Sequence, residues 1–267
     1  MRTVLTIAGS DPTGGAGVQA DLQVISSLGC HGAGVITSLT VQDTRGVHAV
    51  HHLPPELVRD QLTCLLDDVP VSAAKTGMLG EAGIVGVVSQ VLGSHASVPL
   101  IVDPVLASTG GCPLLDAEGL AVLRRELLPR AALVTPNLAE AEALTGMEVR
   151  SVSRMREAAK RLVAMGAAAA LVKGGHLPGD PVDVLCIGDD VWELRGERVQ
   201  GGPSVHGTGC ALSAAAAAFV ARGEPLHRAV ERAKAYVTAA IAAAHATGSG
   251  AMLMNYRAAA KAVDDVP

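Results

Sequence analysis

VSAAKTGMLGEAGIVGVVSQVLGSHASVPLIVDPV, residues 71–105, changes its hydrophobic period twice. Residues 71–75 form a short strand-like run that stops at Thr76-Gly77-Met78-Leu79-Gly80; residues 82–92 read as a helix, and 100–103 as a second strand ending in Pro104-Val105. Further on, a helix over 117–127 leads to a strand over 132–135 that ends in Pro136-Asn137. A helix over 155–165 then leads to a strand over 169–173 that ends in Gly174-Gly175-His176. Strands alternating with helices in this way predict a parallel sheet covered by helices. The polar and glycine-rich residues cluster just after the strands, where an open α/β sheet places its ligands.

The same rhythm opens the chain. Residues 3–8 read as a strand, and residues 18–28 as a helix with apolar Val18, Leu22, Ile25 and Leu28 on one side and Gly29 as its C-cap. A strand over 33–39, a small extra strand over 47–53 and a helix over 55–66 follow. Residues 182–187 and 191–194, around the turn Gly188-Asp189-Asp190, break the alternation and predict an antiparallel hairpin on the sheet edge. The last two helices, over 211–221 and 226–245, are rich in small residues, which suits tight packing against the sheet. No internal repeat, low-complexity linker or charge run divides the chain, so residues 1–267 are expected to form a single domain.

Composition narrows the function. Apolar residues make up 49% of the chain and aromatic residues 1%, so the core is built from Val, Leu, Ile and Ala. With so few stacking side chains and a net charge of −5, nucleic acid is not an expected partner. Cys30, Cys64, Cys112, Cys186 and Cys210 are scattered, odd in number and free of any C-x-x-C pair, which argues against a disulfide framework and a zinc site. No basic and apolar leader opens the chain and no apolar run is long enough for a bilayer, so a soluble cytoplasmic protein is expected, with no membrane partner. His48, His51 and His52 read as a solvated strand face, because no carboxylate or cysteine stands at ligand spacing beside them.

Two glycine-rich stretches carry the chemistry. Gly9-Ser10-Asp11-Pro12-Thr13-Gly14-Gly15-Ala16-Gly17 has four glycines in nine residues between a strand and a helix, which lets backbone approach a ligand closely. It matches neither G-x-G-x-x-G nor a Walker loop. Val205-His206-Gly207-Thr208-Gly209-Cys210-Ala211-Leu212-Ser213 runs into an alanine-dense helix. Its first-turn N–H groups lack intrahelical partners and can converge on an anion. Cys210, at the positive end of that helix, is expected to favour the thiolate.

These stretches belong to a larger pattern. Gly9 to Asp21, Gln42 to Val47, Lys75-Thr76-Gly77-Met78-Leu79, Asp103-Pro104-Val105, Thr135 to Glu140, Lys173-Gly174-Gly175-His176 and His206 to Cys210 together resemble the hydroxymethylpyrimidine/phosphomethylpyrimidine kinases of thiamine biosynthesis, in the ribokinase superfamily. The resemblance spans nearly the whole chain, in order. It implies an α/β fold, a single three-layer αβα domain with a mostly parallel central sheet and a small β edge extension, and a homodimer. The implied activity is transfer of the γ-phosphoryl of ATP to 4-amino-5-hydroxymethyl-2-methylpyrimidine and then to its monophosphate. Pyridoxine or pyridoxal kinase is the alternative substrate class, and a non-catalytic pyrimidine sensor is the other.

By the same resemblance Gly9, Ala16, Asp21, Gln42, Met78 and Val105 hold the pyrimidine. An amide such as that of Gln42 presents donor and acceptor together, as a ring nitrogen beside an exocyclic amine requires. Phosphoryl transfer asks for positioning and charge neutralisation. Backbone N–H groups from Gly207, Thr208, Gly209 and Cys210 supply the anion hole, and Lys173, at a strand end, is the counter-charge to a phosphate. Cys210 is the expected proton acceptor for the alcohol. Asn137 and Glu140, at i and i+3, read alone as a capping box. Beside the other motifs they read, with Asp103, as oxygen groups around Mg²⁺, while Asn137, Lys173 and Thr208 face ATP.

Overall fold

The computed structural model describes residues 1–108, 110–199 and 205–264. The approach to the second glycine-rich stretch, Gly201-Gly202-Pro203-Ser204, lies outside the described residues. Nine strands form one sheet: β1 (Thr3–Ser10), β2 (His31–Asp43), β3 (Gly46–His52), β4 (Ala73–Thr76), β5 (Leu100–Val102), β6 (Leu133–Val134), β7 (Ala169–Val172), β8 (Val182–Ile187) and β9 (Asp190–Arg195). Their order is β3-β2-β1-β4-β5-β6-β7-β8-β9. The six from β2 to β7 run parallel, while β3 and β8 lie antiparallel to their neighbours. The predicted edge hairpin is β8–β9. β2 runs on to Asp43, beyond the expected end, because its last residues pair with β3.

Helices lie on both faces. On one side pack α1 (Gly17–Ser27), α7 (Thr208–Ala221), α8 (Leu226–Ala242) and α9 (Tyr256–Asp264); on the other, α2 (Pro55–Asp68), α3 (Ala82–Gly93), α4 (Ala117–Val122), α5 (Leu138–Thr145) and α6 (Val152–Ala164). This makes the three layers. Side chains alternate between faces along each strand: Val4, Ala73, Ile101, Leu133 and Leu171 pack under α1 and α7, whereas Leu5, Ala74, Val102, Val134 and Val172 face α2 to α6. The alanines of α7 are buried, with Ala211 and Ala214 to Ala218 at most 1% exposed, so that helix lies close on the sheet.

That alternation also places the site. The same period carries Thr6, Lys75, Asp103, Thr135 and Lys173 onto the α1/α7 side, at or just past the carboxyl ends of parallel strands. β1 connects to β2 on one side and lies beside β4 on the other. The chain therefore leaves a crevice where the strand order reverses, and this is where doubly wound sheets bind ligands.

Candidate active site

A cavity of about 900 Å³ opens along this edge, between the loop after β1 and the first turn of α7. Gly9, Ala16, Gln42, Met78, Val105 and Cys210 line one end. Asp103, Asn137, Glu140, Lys173, Thr208 and Gly209 line the middle. Leu212 of α7 and Lys234, Val237, Thr238 and Ile241 of α8 line a further part of the cavity, a slot of mixed character. The expected site residues thus converge, with the exception of Asp21.

Asp21 is a correction. It is 0% exposed, and its Oδ2 accepts from Lys75 Nζ at 2.7 Å and from Thr6 Oγ1 at 2.5 Å. It sits under α1 and does not reach the cavity. Its place in the helix had signalled this, since Asp21 falls three residues after Val18 and four before Ile25, on the apolar stripe.

In the middle, each charge is paired. Asp103 Oδ1 accepts from Lys173 Nζ at 2.9 Å and Thr135 Oγ1 at 3.1 Å, and Oδ2 from Ser213 Oγ at 3.2 Å. Burial opposes ionisation of Asp103, but Lys173 and Lys75 outweigh it and hold the carboxyl below its ordinary range. Burial likewise opposes the charge on Lys173, and Asp103 and Glu140 outweigh that and raise it. For Glu140 burial wins over Lys173 and pushes the carboxyl up to about 7. The capping box is fully formed: Asn137 N donates to Glu140 Oε2 at 2.7 Å and Glu140 N to Asn137 Oδ1 at 3.0 Å. Asn137 and Glu140 are therefore cap and cavity wall at once.

The donor set bears on a metal. Among the described residues no three His, Cys, Asp or Glu side chains gather as ligands. Glu140, however, carries a carboxyl whose ionisation lacks full compensation, and it fits a hard cation that would be held jointly with phosphates.

The first turn of α7, the expected anion hole, depends on backbone conformation. Gly207, the N-cap of α7, has φ +79°, and a Cβ there would overlap the Gly15 carbonyl oxygen. Gly17, which starts α1, has φ +61°, and a Cβ would overlap the Gly9 carbonyl. Two helix starts thereby meet at Cys210, which the Gly17 N–H reaches. The expected thiolate does not follow. Burial pushes the Cys210 thiol up to about 11, against the pull of Lys75, with Asp103 and Asp21 adding to the rise. A partial dipole charge at a helix end does not offset desolvation and two nearby carboxylates.

Two groups at this end were not assigned from sequence. Asp11 is 3% exposed; it accepts from Thr13 N at 2.9 Å and Ala16 N at 2.9 Å, which ties the glycine loop into a turn. His206 Nε2 lies 2.9 Å from Gln42 Nε2 and 3.4 Å from Asp11 Oδ2. The Asp11-Pro12-Thr13 run carries the signal of such a turn. The carboxyl-terminal stretch closes the same end: Ala251 N donates to Thr44 O at 2.7 Å, and Arg45 Nε to Ser249 Oγ at 2.8 Å. His48 pairs with Asp43, and His52 Nδ1 meets Ser38 Oγ at 2.9 Å.

A mostly parallel sheet with a strand-end lysine and an open helix N-terminus beside a cavity at its carboxyl edge is the architecture of the ribokinase-like small-molecule kinases. The sequence profile described as phosphomethylpyrimidine kinase matches residues 11–255. The chain belongs to the phosphomethylpyrimidine kinase family. It is 45% identical over 247 residues to the hydroxymethylpyrimidine/phosphomethylpyrimidine kinase of Streptomyces coelicolor, covering 92% of this chain and 91% of that one. It is also 45% identical over 264 residues to the thiamine biosynthesis bifunctional protein ThiED of Geobacter sulfurreducens, covering 98% of this chain but 54% of that protein, about half its length. The structure of an ADP complex of Bacillus subtilis pyridoxal kinase superimposes with a TM-score of 0.90 at 35% identity, covering 97% of this chain and 98% of that one.

Proposed function

We propose that the chain, as one kinase domain over residues 1–267, phosphorylates 4-amino-5-hydroxymethyl-2-methylpyrimidine with ATP and then converts the monophosphate to the pyrophosphate, in thiamine biosynthesis. The observation that carries this reading is the continuity of the cavity. A neutral pocket of Gly9, Ala16, Gln42, Met78 and Val105 meets the Lys173–Asp103 pair at the first turn of α7, so acceptor and phosphate share one space.

In each transfer the bond from the γ-phosphorus to the bridging oxygen breaks, its electron pair leaving with ADP, and a bond to the acceptor oxygen forms. In the first transfer the hydroxyl proton leaves as well, taken up by Cys210 as its thiolate, which lines the same end of the cavity. In the second, the phosphate oxygen is already ionised and no proton has to move. Lys173 neutralises charge on the phosphates, and the α7 N–H groups hold the migrating group. Gln42, oriented by His206 and by Thr40 Oγ1 at 3.2 Å, presents its amide to the ring. The slot at Leu212, Val237 and Ile241 suits a flat base, with Asn137 and Thr208 nearer the phosphates. Glu140 and Asp103 would hold Mg²⁺ jointly with the ATP phosphates and waters, and the ion would supply further charge neutralisation when bound.

The likeness to a pyridoxal kinase favours one second reading, in which pyridoxine or pyridoxal is the acceptor. A coupled assay with hydroxymethylpyrimidine, its monophosphate and pyridoxine separates the two. Turnover with both pyrimidines is the expected result, and turnover with pyridoxine alone overturns it. Leu39 and Val41 of β2 are 47% and 52% exposed beside the edge strand β3, which supports a homodimer through that edge. No helix of the described residues is long and apolar enough to cross a membrane.

A further inference from the structure

Lys75 is a charge without an evident structural purpose. It and Asp21 are both 0% exposed, and they meet at 2.7 Å inside the layer where α1 and α7 cover the sheet. Their neighbours there, such as Val4, Ala73 and Ala211, are apolar and 0% exposed. Two apolar side chains of similar volume serve a core at such a place as well as a buried ion pair does, because desolvation of the charges consumes most of their attraction. The pair is not saturated either, since Asp21 Oδ1 has no hydrogen-bond partner. Space is kept for the ammonium: a Cβ on Gly77 would lie 2.9 Å from Lys75 Nζ.

The position of the charge explains it. Following the strand order from β1 to β7, the charged groups on the α7 side read Asp21 of α1, Lys75, Asp103 and Lys173, alternating in sign. Lys173 stands after β7 on the donor side and is open to the cavity. Lys75 stands on β4, beside β1, under the end that Gly9, Met78 and Cys210 line. It is closed off from water, so the Asp21 carboxylate at 2.7 Å, and not solvent, is what offsets its field there.

We propose that Lys75 is a positioning residue for phosphoryl transfer: a second cation, sealed beneath the acceptor side of the path along which the phosphoryl charge moves, and held there by Asp21. This rests on the kinase reading above. Lys173 neutralises the phosphate where it starts, and Lys75 favours the negative charge where it arrives, next to the first turn of α7. Such preorganised charge lowers the barrier without touching either substrate.

The test is the double variant Asp21→Leu/Lys75→Met, which removes both charges and keeps the volume. Its thermal unfolding, its KM values and its single-turnover rates with hydroxymethylpyrimidine and with the monophosphate are measured beside the wild type. The expected result is a folded enzyme whose turnover falls about 30-fold with both acceptors while both KM values stay within about threefold. A folded double variant with turnover within about threefold of the wild type overturns the proposal and makes the pair structural only. Asp21→Asn is measured in parallel, so that a double variant that fails to fold leaves the question decided. In it the ammonium loses its anchor but keeps its burial, and turnover is expected to fall about fivefold at unchanged KM. Unchanged turnover in Asp21→Asn also overturns the proposal. A wild type inactive on both pyrimidines is a separate outcome and counts against the substrate reading; the same variants are then compared on pyridoxine.

Discussion

The two ends of the cavity are built on opposite rules. The donor end, as the proposed function reads the middle of the cavity and what lies beyond it, starts from a set of charges that already have partners: Lys173 on Asp103, Asp103 on Thr135 and Ser213, and Glu140 in the cap of α5. The acceptor end is held by backbone and neutral groups pressed together, with Gly207 on Gly15, Gly17 on Gly9 and Gln42 on His206. Its carboxylate, Asp11, is committed to the N–H groups of its own loop. Charges that meet a phosphate have to be held in place before it arrives, whereas a small aromatic alcohol is selected by shape and a few amide contacts. The donor end should thus fail through charge and the acceptor end through geometry.

The sharpest break of this contrast is Lys173→Ala. It removes the counter-charge and leaves Asp103 buried without its cation. Turnover is expected to fall about a thousandfold while pyrimidine affinity stays within about threefold. Unchanged turnover at saturating ATP would remove Lys173 from the chemistry and with it the charge rule for the donor end.

Gly207→Ala tests the geometric rule. The new Cβ cannot fit against the Gly15 carbonyl, so the first turn of α7 has to move. Both phosphorylations use that turn for the same migrating group. Their single-turnover rates should fall together, by about a hundredfold. A loss confined to one acceptor would show that the turn serves that acceptor and not the phosphoryl group.

Cys210 lies where the two ends meet, and its effect should be smaller and unequal. If the thiolate takes the alcohol proton, Cys210→Ala slows the first phosphorylation about tenfold to a hundredfold. The second phosphorylation needs no base and should change little. The pH dependence carries a sign as well. With the thiol pushed up to about 11, the thiolate fraction grows as pH rises from neutral, so the first step of the wild type should accelerate between pH 7 and pH 10. The variant should lose that slope. Equal slowing of both steps, with the slope retained, would reduce Cys210 to a packing residue.

Much of this was legible in the chain, and the gaps have physical causes. Strands were visible because a parallel sheet buried on both faces needs short apolar runs, and the special residues just after them marked the crevice. Helix α9 was missed as an element, while α5 was read only through the Asn137 and Glu140 cap that starts it. Lys173 and Lys75 give the same signal, a lysine ending an apolar strand. Only the fold shows that one opens to the cavity and the other is sealed. The Cys210 error has the same origin, for a sequence displays the helix end but not the carboxylates that converge on it from Asp21 and Asp103. Asp21 was placed in the site by its membership of a motif, against the evidence of its own apolar stripe.

The smallest effects expected are in stability, and they have opposite signs at the two ends. Burial opposes ionisation of Asp11, but hydrogen bonds from His206 and Thr13 prevail and its pKa is lowered. A lowered carboxyl contributes stability above its unfolded pKa and loses it as pH falls through the folded value. Asp11→Asn should therefore cost about 1–3 kcal/mol at pH 7, the worth of hydrogen bonds to a charged acceptor. The gap to wild type should narrow as pH falls below 4. Glu140 behaves in the other direction, because burial raises its folded pKa from 4.5 to about 7. Across that interval the folded protein binds the proton more tightly, so stability falls as pH rises, and above 7 the ionised carboxylate is a cost. Glu140→Gln keeps the capping shape without the charge. Without nucleotide or divalent cation it should melt a few degrees above wild type at pH 8 and level with it near pH 4. Thermal unfolding of both variants across this range decides the matter: two gaps of the same sign, or gaps that ignore pH, would mean that the carboxylates at the two ends are not held by opposite rules.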